Sequence, residues 1–383
     1  MKSSFFALAA LLAASGQAAA ATPGEICVQD LRAIPPFLLE NDTGARQHLA
    51  QKGQAYFDLA LANATTAAAG AADSKACDVI LENYVGMWRK GHLHVKPGSA
   101  QDVAKPSPAQ PAVAGQVPPS KEPSLQVLSE TTVLLTLPSF HGRYRTAMAT
   151  LLDTHRSALA SHPNWILDVR SNGGGSDATY APLLQWISSG EMVRLGAEWL
   201  STPANIDGQE KVCPLLAPGD QNCAAFSTQA VAQMRTVKPG DYAPQDDAGV
   251  ISYTRSSPPV SGQAARQPAR VAVLVDNACA SSCEEFLLAA RQSFHVKLIG
   301  RNSYGALDYS NLRLHSLPSG LRQLQYATSR SARLPHLQVD LGGIMPDIYL
   351  PPPKDDAARA GNRARTALAG RWIIAPGRCL IRQ

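Results

Sequence analysis

Beyond its first twenty residues the chain has no apolar stretch approaching the roughly 18 to 20 residues that a membrane span requires, so no transmembrane helix is expected. It has no basic run interleaved with aromatics, and its formal charge of +5 is scattered, which argues against nucleic acid as a partner. No Cys-x-x-Cys and no Cys/His spacing of a zinc site occurs. No Gly-Lys-Ser/Thr follows its glycine-rich turn, so a phosphate loop is not indicated, and no internal repeat is evident. No metal and no cofactor is therefore expected, and the oligomeric state is not readable.

What is present begins at the N-terminus. Lys2 precedes the apolar run Phe5 to Ala14 and then small residues ending in Gln17-Ala-Ala-Ala-Ala21. This is the pattern of a secretory signal peptide over residues 1–21, cleaved near Ala20 or Ala21, and too short for a membrane anchor. A periplasmic or secreted protein is expected. Seven cysteines fit an oxidising compartment: Cys213 and Cys223 look like a local pair, and Cys27 with Cys77 would tie the N-terminal segment together. The odd number leaves at least one thiol unpaired, and connectivity does not follow from sequence.

After cleavage about 360 residues remain, enough for one sizeable core with an appendage or for two domains. Within residues 22–95, apolar positions from Leu49 to Trp88 recur at spacings near three and four, which predicts a helical hairpin over Asn41 to Trp88 ending at Gly91. Residues 96–123 are rich in Pro, Ala, Ser and Gln and read as a linker. Residues 124–353 then alternate strands and helices: strands at Leu125–Leu128, Thr132–Leu137, Trp165–Val169, Val271–Val275 and Val296–Ile299, helices around Met148–Leu159, Tyr180–Ile187 and Ser282–Arg291, and a final strand pair near Leu324–Thr328 and Ile348–Leu350. That alternation predicts an α/β fold with a mostly parallel mixed sheet covered by helices. Residues of about 200–265 read as an insertion over one face, and 354–383 as a C-terminal segment.

Two segments carry candidate chemistry. In Val271-Ala-Val-Leu-Val-Asp-Asn-Ala-Cys-Ala-Ser-Ser-Cys-Glu-Glu-Phe286 a buried strand runs through small residues directly into a helix. A serine there stands at a helix N-terminus, where orphan amides and the helix dipole favour negative charge on Ser281 or on an oxygen beside it. The plain alternative is that Ser281 or Ser282 is simply an N-cap. In Trp165-Ile-Leu-Asp-Val-Arg-Ser-Asn-Gly-Gly-Gly175 a strand delivers three glycines to the sheet's carboxyl end, where backbone amides can approach a ligand as an oxyanion hole demands. A tight strand-to-helix turn explains the same glycines.

Together, in this order, the two segments resemble the signatures of the C-terminal processing (tail-specific) serine peptidases, including the catalytic core of tricorn protease. In that family a strand ending in Asp-Leu-Arg-x-Asn-x-Gly-Gly precedes Ser-Ala-Ser-Ala-Ser-Glu, whose middle serine attacks the peptide. Cys279-Ala-Ser-Ser-Cys-Glu284 matches the second element, and the similarity continues through Leu298-Ile-Gly-Arg-Asn-Ser-Tyr-Gly305 and Gly343-Ile-Met-Pro-Asp-Ile348. The resemblance covers about Leu125 to Leu350 and implies a ClpP/crotonase-like core, peptide or unfolded-protein substrates and Ser281 as nucleophile. It also implies an oxyanion hole from the amides of Gly174 and Ser282, with Gly173 beside them.

The chain departs from the family in two ways. The lysine that many members place after the Phe-Gly of the later strand is replaced here by Ala306, and Lys297 lies upstream within a strand. Another base must then take the serine proton. The tricorn-like branch uses a histidine at the end of the helical segment, which points to His92 in Gly91-His-Leu-His94, with His94 as the other candidate and a pair of surface histidines as the plain alternative. Asp308 and Glu284 are candidates for the carboxylate that orients it. The second departure is the missing PDZ module, in whose place the proline-rich stretch stands. Cys279 and Cys283 flank the nucleophile and are expected as buried thiols, because a helix start between them makes a bridge strained. A catalytically silent peptide-binding scaffold and an esterase stay open as other readings.

Overall fold

The structure is a computed structural model that describes residues 21–98, 122–245, 251–255, 268–340 and 342–351. The expected signal peptide before Ala21, most of the proline-rich stretch, parts of the expected insertion and the C-terminal segment, with Cys379, lie outside the described residues.

Four helices open the described chain: α1 (Pro23–Asn41), α2 (Ala45–Lys52), α3 (Gln54–Ala69) and α4 (Ser74–Trp88). The expected two-helix hairpin is thus part of a larger bundle. Helix α1 escapes a reading by periodicity because Pro35 and Pro36 look like a break. Its start is nonetheless specified locally, since the Thr22 hydroxyl accepts the Glu25 amide while the Glu25 carboxylate accepts the Thr22 amide. The Cys27–Cys77 disulfide joins α1 to α4, as the spacing suggested.

Next come β1 (His94–Pro97), β2 (Ser124–Ser129), β3 (Thr132–Thr136), α5 (Arg145–Thr154), α6 (Arg156–Ser161), β4 (Asn164–Asp168) and α7 (Asp177–Ile187). Strands β5 (Glu191–Leu195) and β6 (Ala197–Leu200) lead into α8 (Pro203–Leu216), α9 (Gln221–Met234), β7 (Tyr242–Pro244) and β8 (Ile251–Arg255). The Cys213–Cys223 disulfide ties α8 to α9. The chain ends its described course with β9 (Arg270–Val275), α10 (Ser282–Ala290), β10 (Val296–Gly300), β11 (Tyr309–Ser316), β12 (Arg322–Ser331) and β13 (Ile348–Tyr349).

Six strands form the expected sheet in the order β13-β10-β9-β4-β3-β2, parallel throughout except where β2 runs against β3. Its central strands are buried on both faces, which is why they read as continuous apolar runs. Alternate residues take opposite sides: Trp165, Leu167, Val271, Val273 and Val275 join the core beneath the helices, whereas Ile166, Ala272, Leu274 and Ile299 form a smaller cluster on the other face.

A second sheet was not anticipated. Strands β1-β12-β6-β7 form an antiparallel ladder with β11 also on β12. Strands β12 and β13, expected as a final pair, therefore belong to different sheets. The N-terminal helices pack on this second sheet, where Leu31, Leu38, Leu81 and Trp88 share a core with Leu317, Leu324 and Tyr326. Buried Arg322 welds them further, pairing with Asp30 at 3.2 Å and Asp78 at 2.6 Å. Losing one partner of such a pair costs about 3–5 kcal/mol, so the helical segment and the second sheet hold together strongly.

Candidate active site

Strand β9 passes through Asp276-Asn277-Ala278-Cys279-Ala280 and turns abruptly into α10 at Ser281. Ser281 has φ 57° and ψ −125°, a backbone state that costs a residue with a Cβ about 1–3 kcal/mol and persists only where the surroundings impose it. The surroundings here do so. The Ser281 amide donates to the Ala306 carbonyl and to Glu284 Oε2, each at 3.1 Å, and the preceding Ala280 amide donates to the Asn172 carbonyl at 3.2 Å. Cys279 and Cys283 close the bend as a disulfide with Cα atoms 5.4 Å apart, which corrects the expectation of thiols. The reversal at Ser281 sets the two side chains facing each other across the bend, at a separation within the range a bridge requires.

The Ser281 side chain is half-buried at the mouth of α10, where it forms a capping box with Glu284. Gly174 (φ 92°) presses against it: a Cβ there would stand 2.5 Å from the Ala280 carbonyl oxygen and 2.9 Å from Ser281 Cβ, so only glycine fits. The Gly174 amide is committed, donating to Asn172 Oδ1 at 2.9 Å. Among the described residues the amides of Gly173 and Ser282 have no acceptor, and a Cβ on Gly173 would meet open space. Of the three proposed oxyanion donors, Gly173 and Ser282 are therefore the open ones, and Gly174 supplies close approach instead. Asn172, whose role the sequence did not disclose, also donates to the Leu137 carbonyl at 2.8 Å, and so holds the glycine turn against both β3 and the elbow.

Gly91 (φ 88°) turns the chain after α4 so tightly against the same loop that a Cβ on it would stand 3.2 Å from Ala306 Cβ. Ala306, whose carbonyl receives the Ser281 amide, thus touches the histidine segment directly. His92 Nδ1 lies 2.6 Å from the Tyr309 carbonyl oxygen. A carbonyl only accepts, so Nδ1 carries the proton and Nε2 keeps its lone pair, the tautomer a general base needs. Burial, followed by the nearby Arg89 charge, pushes the ring down to about 4, so it is neutral around pH 7. Arg89, ion-paired with buried Asp42, donates to the His92 carbonyl at 3.3 Å and lies over the Tyr309 ring at 5.1 Å, fixing the segment. His94, on β1, is turned instead to Glu82 at 2.7 Å.

Neither candidate carboxylate holds the imidazole. Glu284, fully buried, accepts the Ser303 hydroxyl at 2.6 Å and the amides of Gly305, Ala306 and Ser281 at 2.7, 2.9 and 3.1 Å. Asp308 Oδ2 accepts the amides of Val339 and Asp340 at 2.9 and 3.0 Å. Asp340 reciprocates, its Oδ1 accepting the amides of Leu307 and Asp308 at 2.6 and 2.8 Å. Burial, aided by the Asp308 charge, pushes the Asp340 carboxyl up to about 6. This mutual clasp fixes the loop whose carbonyls at Ala306 and Tyr309 hold Ser281 and His92. The orienting group for the histidine is a main-chain oxygen, which leaves no signature in a sequence.

Ala306 itself is only 2% exposed and lies close against Gly91. Lys297 lies on β10, 3.9 Å from Asp347, away from this loop. Among the described residues no group of three or more His, Cys, Asp or Glu is arranged to hold a metal ion, and no helix is long and apolar enough to cross a membrane.

Comparison with known proteins places this arrangement. Mature CPAF superposes with a TM-score of 0.59 at 11% identity, over 93% of this chain and 99% of that one. A lipoprotein from Streptococcus agalactiae gives 0.46 at 12% identity over 88% and 96%. The photosystem II D1 C-terminal processing protease gives 0.34 at 14% identity over 70% and 50%. At these identities the likeness concerns the fold alone. No curated protein matches the chain in sequence. The model of peptidase family S41 matches residues 131–350, from β3 through the Ser281 elbow to the end of β13. The chain belongs to peptidase family S41, the C-terminal processing serine peptidases.

Proposed function

We propose that this protein is an exported peptidase that cleaves peptide bonds through an acyl-enzyme, with Ser281 as nucleophile and His92 as base. His92 Nε2 takes the Ser281 proton as the hydroxyl attacks the scissile carbonyl, and the amides of Gly173 and Ser282 receive the oxyanion. The imidazolium then protonates the departing amine, and a water activated by the same nitrogen releases the acyl group. The observation that carries the reading is the His92 Nδ1 contact with the Tyr309 carbonyl, which supports the basic tautomer at Nε2 in a loop that also holds Ser281 through Ala306. Catalytic hydrogen bonds are commonly long before substrate binds, so a serine that caps its own helix in the free protein is compatible with this role. Export is supported by the N-terminal pattern and by three disulfides, which persist in oxidising compartments.

A fluorophosphonate probe should label the wild type and not Ser281→Ala, and His92→Ala should lose about 100-fold or more in peptide turnover, the scale of general base catalysis. A catalytically silent scaffold would instead bind peptide without turnover and be indifferent to His92→Ala. Nitrophenyl esters tested beside peptides and unfolded protein distinguish an esterase. N-terminal sequencing of the mature protein checks cleavage near Ala20 or Ala21.

A further inference from the structure

Beside the elbow opens a cleft of about 710 Å³ whose wall includes Lys90, Asn277, Arg301, Asn302, Tyr304 and Asp340. It borders the loop that holds the site described above. The Tyr304 amide donates to the Cys279 carbonyl at 2.8 Å, the adjoining Gly305 amide rests on Glu284, and Lys90 stands two residues before His92.

Cations outnumber carboxylates in the wall of this cleft, with Lys90 and Arg301 against Asp340. Neither Lys90 nor Arg301 has an ion-pair partner among the described residues, and Arg301 Nε is buried without a hydrogen-bond acceptor. The acidic side chain present, Asp340, has Oδ1 turned to the amides of Leu307 and Asp308. Two cations, one with a buried donor left over, are costly to keep beside a binding cleft unless an anion completes them, because an unmade hydrogen bond at a buried donor is a standing penalty. Guanidinium and carboxylate match in planar geometry, and the Asn277 and Asn302 amides add uncharged donors and acceptors. The half-exposed Tyr304 ring offers an apolar surface alongside.

Resting on the peptidase reading, we propose that this cleft is a substrate subsite for a carboxylate, in which Lys90 and Arg301 pair with an acidic group of the peptide whose scissile bond lies at Ser281. It would stand in for the peptide-recognition module that the chain lacks. The acidic group has two sources in a peptide, an Asp or Glu side chain or the free C-terminus, and both present the same chemistry.

The test is binding rather than turnover, so that it does not depend on the nucleophile assignment. Full-length Ser281→Ala protein is titrated by fluorescence anisotropy with labelled peptides that carry Glu or Gln at successive positions, each with a free or an amidated C-terminus. Some acidic form should bind about tenfold or more tighter than its neutral counterpart, the scale of one charge-assisted pair, and the advantage should shrink with salt. A gain tied to Glu identifies a side-chain subsite, and a gain tied to the free terminus identifies terminal recognition; both support the carboxylate assignment. Adding Lys90→Met or Arg301→Met should bring the ratio close to one, and exposed Lys90→Glu, which perturbs no buried contact, should favour Lys-containing peptides. Equal binding of all four forms, or an acidic preference that survives both substitutions, overturns the proposal. If acid-selective binding appears while probe labelling of the wild type fails, the subsite stands and the hydrolase reading falls.

Discussion

Glu284→Gln is a sharp test of how the elbow is held. The carboxylate accepts in pairs: Ser303 Oγ and the Gly305 amide at Oε1, the Ala306 and Ser281 amides at Oε2. Glutamine changes one oxygen into a donor. With that donor at the Oε2 position, the Ala306 amide loses its acceptor and the Ser281 amide keeps only the Ala306 carbonyl. At the Oε1 position only the Gly305 amide is orphaned, because the Ser303 hydroxyl can turn to accept. An orphaned buried amide costs about 1–3 kcal/mol, and the bonds that survive fall from charge-assisted to neutral strength, losing about 1 kcal/mol each. Relief from burying a charge returns part of this, so a net loss of about 3 kcal/mol is expected. It should appear as a lower urea midpoint with unchanged slope. Since the carboxylate also positions Ser281, fluorophosphonate labelling should slow about 100-fold, the penalty of an ångström-scale misplacement. A variant within about 0.5 kcal/mol of wild type that labels at the wild-type rate would refute the account of Glu284 as the keystone of the elbow.

The pH profile of peptide turnover follows from His92. In the proposed mechanism its neutral form is the base, and burial lowers its value to about 4, so kcat/KM should stay level through pH 6.5, where an exposed histidine would already be charging, and fall only toward pH 4. His48, also pushed down to about 4, adds to a linked effect on stability. Both rings bind protons more readily unfolded than folded, so this contribution is whole above about pH 6.5 and is lost as pH falls from there through about 4, a trend that urea titrations at several pH values should reproduce. Replacing Cys279 and Cys283 together by alanine should cost about 2 kcal/mol, from the small loop the bridge closes, and should slow probe labelling. Equal labelling rates would show that the remaining hydrogen bonds suffice to hold Ser281. Ala306→Lys should lower the urea midpoint and leave His92→Ala unrescued, because Ala306 is buried and lies close against Gly91.

Much of this was legible in sequence, and the reasons differ by element. The parallel sheet announced itself because strands such as Val271–Val275, covered on both faces, must be apolar along their whole length. Ser281 stood out only when two segments were taken together as resembling a family signature, since its own segment reads equally as a helix cap, and the disulfides Cys27–Cys77 and Cys213–Cys223 agree with pairings that spacing suggested but did not fix. The second sheet was hidden because β11, Tyr309 to Ser316, mixes Ser, Asn, Arg and His into a half-buried strand that resembles a loop. The Cys279–Cys283 bridge was hidden because helical geometry was assumed through a residue whose φ is 57°. The carboxylates were found and misassigned: Glu284 and Asp308 hold backbone amides, and the imidazole is held by the peptide oxygen of Tyr309, for which side-chain chemistry carries no mark.

The union of the N-terminal helices with the second sheet bears on how the polypeptide would tolerate being cut. The histidine and the serine arrive from opposite sides of residues 99–121, yet the piece bearing the histidine is sewn to the rest by the β1–β12 ladder, by Asp42 receiving both Arg89 and the Ala327 amide, and by Arg322 reaching Asp30 and Asp78. Severing the polypeptide there would leave two fragments that stay assembled as a heterodimer. What keeps His92 and Ser281 in register is then the ladder and the ion pairs rather than the connecting stretch.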